Sequence, residues 1–246
     1  MIEIENLTKA YATGKINAIE SVSLTVKDGE IFGFIGPNGA GKSTTIKCMT
    51  GILPYIYGSI KIDGVELKES PVVAKRKIGF VPDDHACYDA LTGAEYVNFI
   101  ADIFGVTTAE RKERMSRLSA LFGMSEKVNA PISSYSHGMK QKISIIAALI
   151  HNPEVWILDE PLTGLDPESA FNLKELMREH AAKGKTVFFS SHILEVVEKL
   201  CTRVAIIDKG HIATTFAVAD MEKMQGDANL EELFFRVTKG DKNVNI

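Results

Sequence analysis

The sequence is short of cysteine, of long apolar runs and of positive charge, and each shortage excludes a class of protein. Three cysteines, Cys48, Cys87 and Cys201, are odd in number, widely spread and without a CxxC pair. That rules out a disulfide or zinc framework and reads as reduced thiols of a cytosolic chain. The longest nearly apolar stretch runs from Ile143 to Ile150, far short of the roughly 18 residues that a membrane span needs. Met1-Ile2-Glu3-Ile4-Glu5 offers no basic segment ahead of an apolar one, so no secretory signal is expected. Lys and Arg number 28 against 32 Asp and Glu, a net charge of -4. Nucleic acid and anionic lipid are therefore not expected as partners held by bulk electrostatics, although a local basic patch stays open. No internal repeat, low-complexity tract or heptad run is present. What remains is 246 residues, 45% hydrophobic and 24% charged, enough for one large domain or two small ones with a buried core. A secreted mini-protein, a membrane-spanning protein and a disordered tail are all excluded.

Hydrophobic periodicity divides the chain into alternating elements. Met1 to Leu7 and Ala18 to Val26 alternate apolar and polar residues, as half-buried strands do, and Lys27-Asp28-Gly29 turns. Glu30 to Ile35 is apolar without alternation, the pattern of a strand buried on both faces. A glycine-rich turn leads into helical character over Ser43 to Met49, and Ser59–Ile62 and Ile78–Val81 are further short strands. From Gly93 the period changes: Tyr96, Val97, Phe99, Ile100, Ile103 and Phe104 share one helical face, as do Met115, Leu118, Leu121 and Phe122. With an apolar-faced helix over Lys140 to Ile150, residues 85–150 form a helical block inserted in the chain. Strands at Val155–Leu158, Thr186–Ser190 and Val204–Ile207 then alternate with helices at Glu168–Ala182 and Ile193–Leu200. That order implies a mostly parallel sheet covered on both faces. Lys239 to Ile246 is polar and expected to fray.

Two stretches carry phosphate chemistry. Gly36-Pro37-Asn38-Gly39-Ala40-Gly41-Lys42-Ser43 fits G-x-x-x-x-G-K-[ST] between an apolar strand and a helix, the context this motif requires. Its glycines let backbone N–H groups converge on a polyphosphate, and the helix N-terminus adds partial positive charge. Lys42 would reach the β- and γ-phosphates and the Ser43 hydroxyl would ligate Mg²⁺. Val155-Trp156-Ile157-Leu158-Asp159-Glu160 is an apolar strand ending in two carboxylates, at the edge where open α/β sheets bind ligands. Beside a phosphate loop, Asp159 is expected to hold Mg²⁺ directly or through water and Glu160 to polarise an attacking water.

Tyr135-Ser136-His137-Gly138-Met139-Lys140-Gln141, placed before that strand, is similar to the signature sequence of the ATP-binding cassette (ABC) ATPases. The resemblance covers essentially the whole chain. It implies an α/β fold: a P-loop NTPase (RecA-like) core over residues 1–84 and 151–246 with an N-terminal antiparallel β subdomain, and a helical signature subdomain over 85–150. ATP and Mg²⁺ are the implied ligands. Gly36, Pro37, Asn38, Gly39, Ala40, Gly41, Lys42, Ser43 and Thr44 would cradle the phosphates, while Tyr11 resembles the aromatic that stacks on adenine. Ser136 and Gly138 would grip the γ-phosphate of ATP held by the other subunit, which leaves Ser136 free to cap the Lys140–Ile150 helix as well. Leu165-Asp166 resembles the loop that crosses the dimer interface, and Asp166 before Pro167 is also a good helix cap. His192 resembles the switch histidine that meets the γ-phosphate.

The departures from the family pattern matter too. His137 replaces a glycine and Met139 a glutamine, variation resembling the branch that serves separate membrane subunits in export (ABC-2 type). A histidine at this position also opens a pH-sensing role, since imidazole is the side chain that ordinarily changes charge near neutral pH. Asp83 follows Gly79-Phe80-Val81-Pro82 where the family carries a glutamine; it either approaches Mg²⁺ or only caps the turn. The implied activity is ATP hydrolysis, with Lys42, Glu160 and His192 as catalytic residues. The implied partners are a second ABC ATPase subunit, identical or different, and a separate membrane-spanning subunit, with no nucleic acid. The location is cytoplasmic, peripheral on the inner face of the cell membrane. Phe99, Phe104 and Tyr88 either line the groove for a helix of the membrane subunit or belong to the core. The rival reading is a soluble ABC ATPase of iron–sulfur assembly or of the ribosome. Against it stand the single cassette and Met139-Lys140 after Gly138, where the assembly ATPase is acidic.

Overall fold

The computed structural model describes residues 1–11, 17–84, 88–221 and 229–239. Cys87 and the polar end beyond Lys239 lie outside them. Strands β1 (Ile2–Ala10), β2 (Asn17–Val26), β4 (Tyr57–Ile62) and β5 (Val65–Glu66) form an antiparallel sheet in the order β2-β1-β4-β5. A second, six-stranded sheet runs β10-β9-β3-β8-β7-β6. Its members are β3 (Ile31–Ile35), β6 (Ile78–Val81), β7 (Val155–Leu158), β8 (Thr186–Ser190), β9 (Arg203–Asp208) and β10 (His211–Ala217). All of its pairings are parallel except the β9–β10 hairpin.

Strand β3 shows why its run carries no alternation. Every residue from Ile31 to Ile35 is buried. Phe32 and Phe34 enter a core shared with the antiparallel sheet, where both rings meet Phe188. Ile31 and Ile35 face the opposite core, built with the helices. Strand β7 divides likewise, Val155 and Ile157 to one side and Trp156 and Leu158 to the other. The two-residue period of a strand thus serves two apolar faces at once. Gly33 is fixed by close packing, because a Cβ there would meet Cys201 Sγ and Val197 Cγ1 at 2.8 Å.

The helices are α1 (Lys42–Met49), α2 (Pro71–Arg76), α3 (Gly93–Ile103), α4 (Thr108–Leu121), α5 (His137–Leu149), α6 (Pro167–Ala182), α7 (Leu194–Leu200) and α8 (Leu230–Lys239). Helices α3 to α5 lie in sequence between β6 and β7, where the periodicity changes. Thr92 with Glu95 and Thr107 with Glu110 form capping boxes that start α3 and α4, each cap worth about 1 kcal/mol. No helix among the described residues is long and apolar enough to cross a membrane.

Several expectations need correction. The single apolar face expected on α3 is narrower: Val97 and Ala101 are buried, whereas Phe99 and Ile103 are exposed. Tyr88 is exposed too, so the core reading fails for Tyr88 and Phe99, while Phe104 is half-buried and stacks on His151 at 3.7 Å. Helix α5 begins at His137 rather than Lys140. Strands β5 and β10 and helices α2 and α8 add to the expected elements.

Candidate nucleotide site

The phosphate loop leaves the C-terminal end of β3, in the middle of the sheet, and runs into α1. Gly39 and Gly41 sit at φ +78° and +109°, conformations that L side chains rarely adopt. Gly36 is fixed by proximity, since a Cβ there would collide with the Ile207 carbonyl oxygen. Lys42 folds back inside the loop, its buried Nζ donating to the Gly36 carbonyl at 2.6 Å and the Pro37 carbonyl at 3.3 Å. Burial lowers the Lys42 pKa, while Glu160 and Asp159 oppose that shift. Ser43 is exposed at the start of α1.

The carboxylates arrive from β7. Asp159 is 2% exposed, and its Oδ1 accepts from Ser190 Oγ at 2.6 Å. Glu160 has φ 50°, a left-handed conformation uncommon for a side chain of this size. Its backbone N–H donates to the same Ser190 Oγ at 3.0 Å. One hydroxyl at the end of β8 therefore orients the acid pair. Glu160 Oε2 accepts from His192 Nδ1 at 2.8 Å and from the His192 backbone N–H at 3.2 Å. An ionised carboxylate only accepts, so the His192 ring carries its proton on Nδ1 in this pair.

Of these groups, the phosphate loop and Glu160 open on one cleft of about 360 Å³, within the usual range of ligand sites, while Asp159 and His192 stand behind Glu160 and do not line it. Tyr11, Asn38, Gly39, Gly41, Lys42, Ser43, Thr44, Asp83 and Glu160 line it. The Tyr11 hydroxyl lies 3.2 Å from Thr44 Oγ1, with Lys9 Nζ 5.5 Å from its ring centre. Asp83 is exposed and makes no hydrogen bond among the described residues, which end at residue 84 on this side of the loop. The buried lysine and the loop amides can hold a polyphosphate, and Ser43, Asp159 and Asp83 offer only oxygen atoms, which suits Mg²⁺.

The signature residues lie elsewhere, on the N-terminus of α5. Ser136 caps that helix, its Oγ accepting from the Met139 N–H at 3.3 Å. A Cβ on Gly138 would meet the Gly164 carbonyl oxygen at 2.5 Å, so this helix end presses on the loop after Glu160. His137 is exposed, its ring over Gly164. Gln141 Nε2 donates to the Pro161 carbonyl at 2.7 Å, and Lys142 pairs with Asp166 at 2.7 Å. Asp166 caps α6 through the Ser169 N–H and hydroxyl, and Lys142 first, then these bonds, hold its carboxyl well below the usual range. Sequence reasoning missed Ser190, Gln141 and Lys142. Ser190 carried one signal, its place at the end of a strand two residues before His192.

A family model described as ABC transporter matches residues 19–163, which span the phosphate loop, the signature and Glu160. The linearmycin resistance ATP-binding protein LnrL of Bacillus subtilis (strain 168) is 39% identical over 232 residues, 94% of this chain and 74% of that protein. A solved ATP-binding subunit of an ABC transporter superposes with a TM-score of 0.91 at 33% identity, over 96% of this chain and 99% of that one. The cassette MJ0796, solved as a dimer in a post-hydrolysis state with ADP and Pi, superposes with a TM-score of 0.81 at 25% identity, over 89% of this chain and 99% of that one. With phosphate loop, acidic strand end and signature helix all in place, the chain belongs to the ABC transporter family, as an ATP-binding, ATP-hydrolysing protein.

Proposed function

We propose that this chain energises an exporter, binding a separate membrane-spanning subunit on the inner face of the cell membrane and pairing with a second ABC ATPase subunit. The observation that carries the reading is the Glu160–His192 pair at a cleft whose phosphate loop holds a buried Lys42. Tyr11 stacks on adenine, and Gly36 to Thr44 wrap the phosphates. Mg²⁺, when bound, supplies charge against the β- and γ-phosphate oxygens, held by Ser43, Asp159 and Asp83. Lys42 steadies the charge that develops on the transferred group, while Glu160 and His192 orient water in line with the β–γ bond. Glu160 takes the proton of that water, and Ser190 keeps the acid pair in register.

Ser136 and Gly138 grip the γ-phosphate in the facing subunit, so that two chains clasp two nucleotides. The exposed Ser136 at the α5 N-terminus supports this, because a helix start attracts anions. Residues 1–84 and 151–246 then act as the core and 85–150 as the block that turns when the sites close. A hollow of about 180 Å³ lined by Phe80, Tyr96, Ile100, Phe104 and His151, beside the exposed Tyr88 and Phe99, suits a cytoplasmic helix of the membrane subunit. Export is supported by the likeness to LnrL, by name a resistance protein. Affinity capture of the chain from detergent-solubilised membranes tests the assignment. Co-purification of a polypeptide with several membrane spans is expected; recovery only in a soluble complex would contradict it.

A further inference from the structure

Gln141 is a polar side chain in an apolar setting. It lies one turn into α5 and is fully buried, on a helix whose Ile143, Ile145 and Ile146 belong to the core. Its Nε2 donates to the Pro161 carbonyl at 2.7 Å, while its Oε1 accepts no hydrogen bond among the described residues. A carbonyl can be met only by the NH₂ end of an amide, so Pro161 fixes which way the group points. Half of the amide is thus buried without a partner, which carries a cost. The plain reading is that Gln141 merely satisfies one buried carbonyl, and what sets that carbonyl apart is its place.

Pro161 directly follows Glu160, whose backbone sits at φ 50°. A proline narrows the conformations open to the residue before it, and a left-handed glutamate persists only where its surroundings enforce it. Three hydrogen bonds do so. The Glu160 N–H donates to Ser190 Oγ at 3.0 Å, the Glu160 carbonyl accepts from the Thr163 N–H at 3.2 Å, and Gln141 takes the carbonyl of Pro161. Proline has no N–H, so its carbonyl is the one backbone group by which the turn can be held at that residue. Of the three, Ser190 belongs to the sheet and Thr163 to the turn itself, whereas Gln141 comes from the signature helix. The other bonds of that helix, from Gly138 and Lys142, reach Gly164 and Asp166, farther along the loop.

We propose that Gln141 is a positioning residue for ATP hydrolysis: by holding the Pro161 carbonyl it sets the backbone of Glu160, and with it the aim of the carboxylate that meets His192. The kinetic half of this inference rests on Glu160 as the base that takes the proton of water; the geometric half does not. A reacting group misplaced by about 1 Å can cost about 100-fold in rate, so one amide at this turn has leverage on turnover without touching nucleotide.

The test compares two variants of the full chain, Gln141→Met, similar in length but without a donor, and Gln141→Asn, an amide too short to reach Pro161. In each variant with a native far-ultraviolet spectrum, kcat should fall about 10- to 100-fold while the dissociation constant for ATP stays within about twofold, because Gln141 does not line the nucleotide cleft. The geometric readout is the His192 Nδ1 signal in the ¹⁵N spectrum of the nucleotide-free chain, assigned by its loss in His192→Gln. It should move as the 2.8 Å bond to Glu160 Oε2 is disturbed, with the His151 and His180 signals in place. Wild-type kcat in either variant overturns the proposal. So does an unmoved His192 signal, which would mean that the amide acts elsewhere, and so does a shift shared by His151 and His180, which would mean a general loosening of the fold. Brisk turnover by Glu160→Gln would strike the base assignment alone, since a moved His192 signal would still show Gln141 setting the Glu160 backbone.

Discussion

At the scale of the residue, the proposed chemistry rests on how Glu160 and Lys42 are held. The left-handed backbone of Glu160 costs about 1–3 kcal/mol of strain, offset by the Ser190 and His192 hydrogen bonds. Glu160→Gln keeps the shape and loses the proposed base, so ATP binding should persist while steady-state phosphate release nearly vanishes; brisk release would remove Glu160 from that role. Lys42→Ala should instead raise the dissociation constant for ATP, measured by nucleotide titration. Ser190→Ala deletes the bond to the Asp159 carboxylate, worth about 1.5–3 kcal/mol for a charged acceptor. If that energy is expressed in the transition state, kcat falls roughly 10- to 100-fold, with Ser190→Thr restoring most of it. Full activity in the Ser190→Ala variant would show that the hydroxyl positions nothing.

At the scale of the element, the signature helix and the loop after Glu160 are one packed unit. Gly138 touches the Gly164 carbonyl, Gln141 holds the Pro161 carbonyl, and Lys142 holds Asp166. Gly138→Ala should push helix and loop apart and abolish turnover while ATP affinity of the isolated chain is unchanged, since Gly138 lies outside its cleft. Loss of affinity in that variant would instead indicate a spread distortion. The elements legible in the sequence are those with an unambiguous period. The β3 run is apolar because both faces are covered, and the phosphate loop is a local motif. Helix α2 buries only Ala74 and carries no apolar stripe, and β10 is an edge strand whose Thr214 and Phe216 alone are buried. Helix α8 does carry a signal, with Leu230, Leu233, Phe234 and Val237 at helical spacing, beyond the elements expected from the alternation. On α3, Phe99 and Ile103 lie about 160° and 120° around the helix from Val97, too far to share its buried side. Ser190 showed in the sequence only as a strand-end residue near His192, because its partners come from a neighbouring strand 30 residues or so away in sequence.

At the scale of the whole molecule, two imidazoles, His180 buried and His151 half-buried, tie stability to pH. Burial lowers the pKa of both His151 and His180 to about 4, against about 6.5 in the unfolded chain. Between those values the unfolded chain binds more protons, so stability is complete above about pH 6.5 and falls as pH drops toward 4. Each imidazole contributes a slope of up to about 1.4 kcal/mol per pH unit. Urea midpoints at pH 7 and pH 5 should therefore differ more for the native chain than for His180→Leu; equal differences would mean that His180 titrates normally.

The broadest claim is that the unit of function has two nucleotide sites, each completed by the facing chain. Sedimentation of the purified Glu160→Gln chain, with and without saturating Mg-ATP, tests it most directly. A shift from one to two chains is expected on adding nucleotide, abolished by Ser136→Arg at the signature helix. A particle of one chain under both conditions, with ATP demonstrably bound and a co-purified mate absent or supplied, would contradict it.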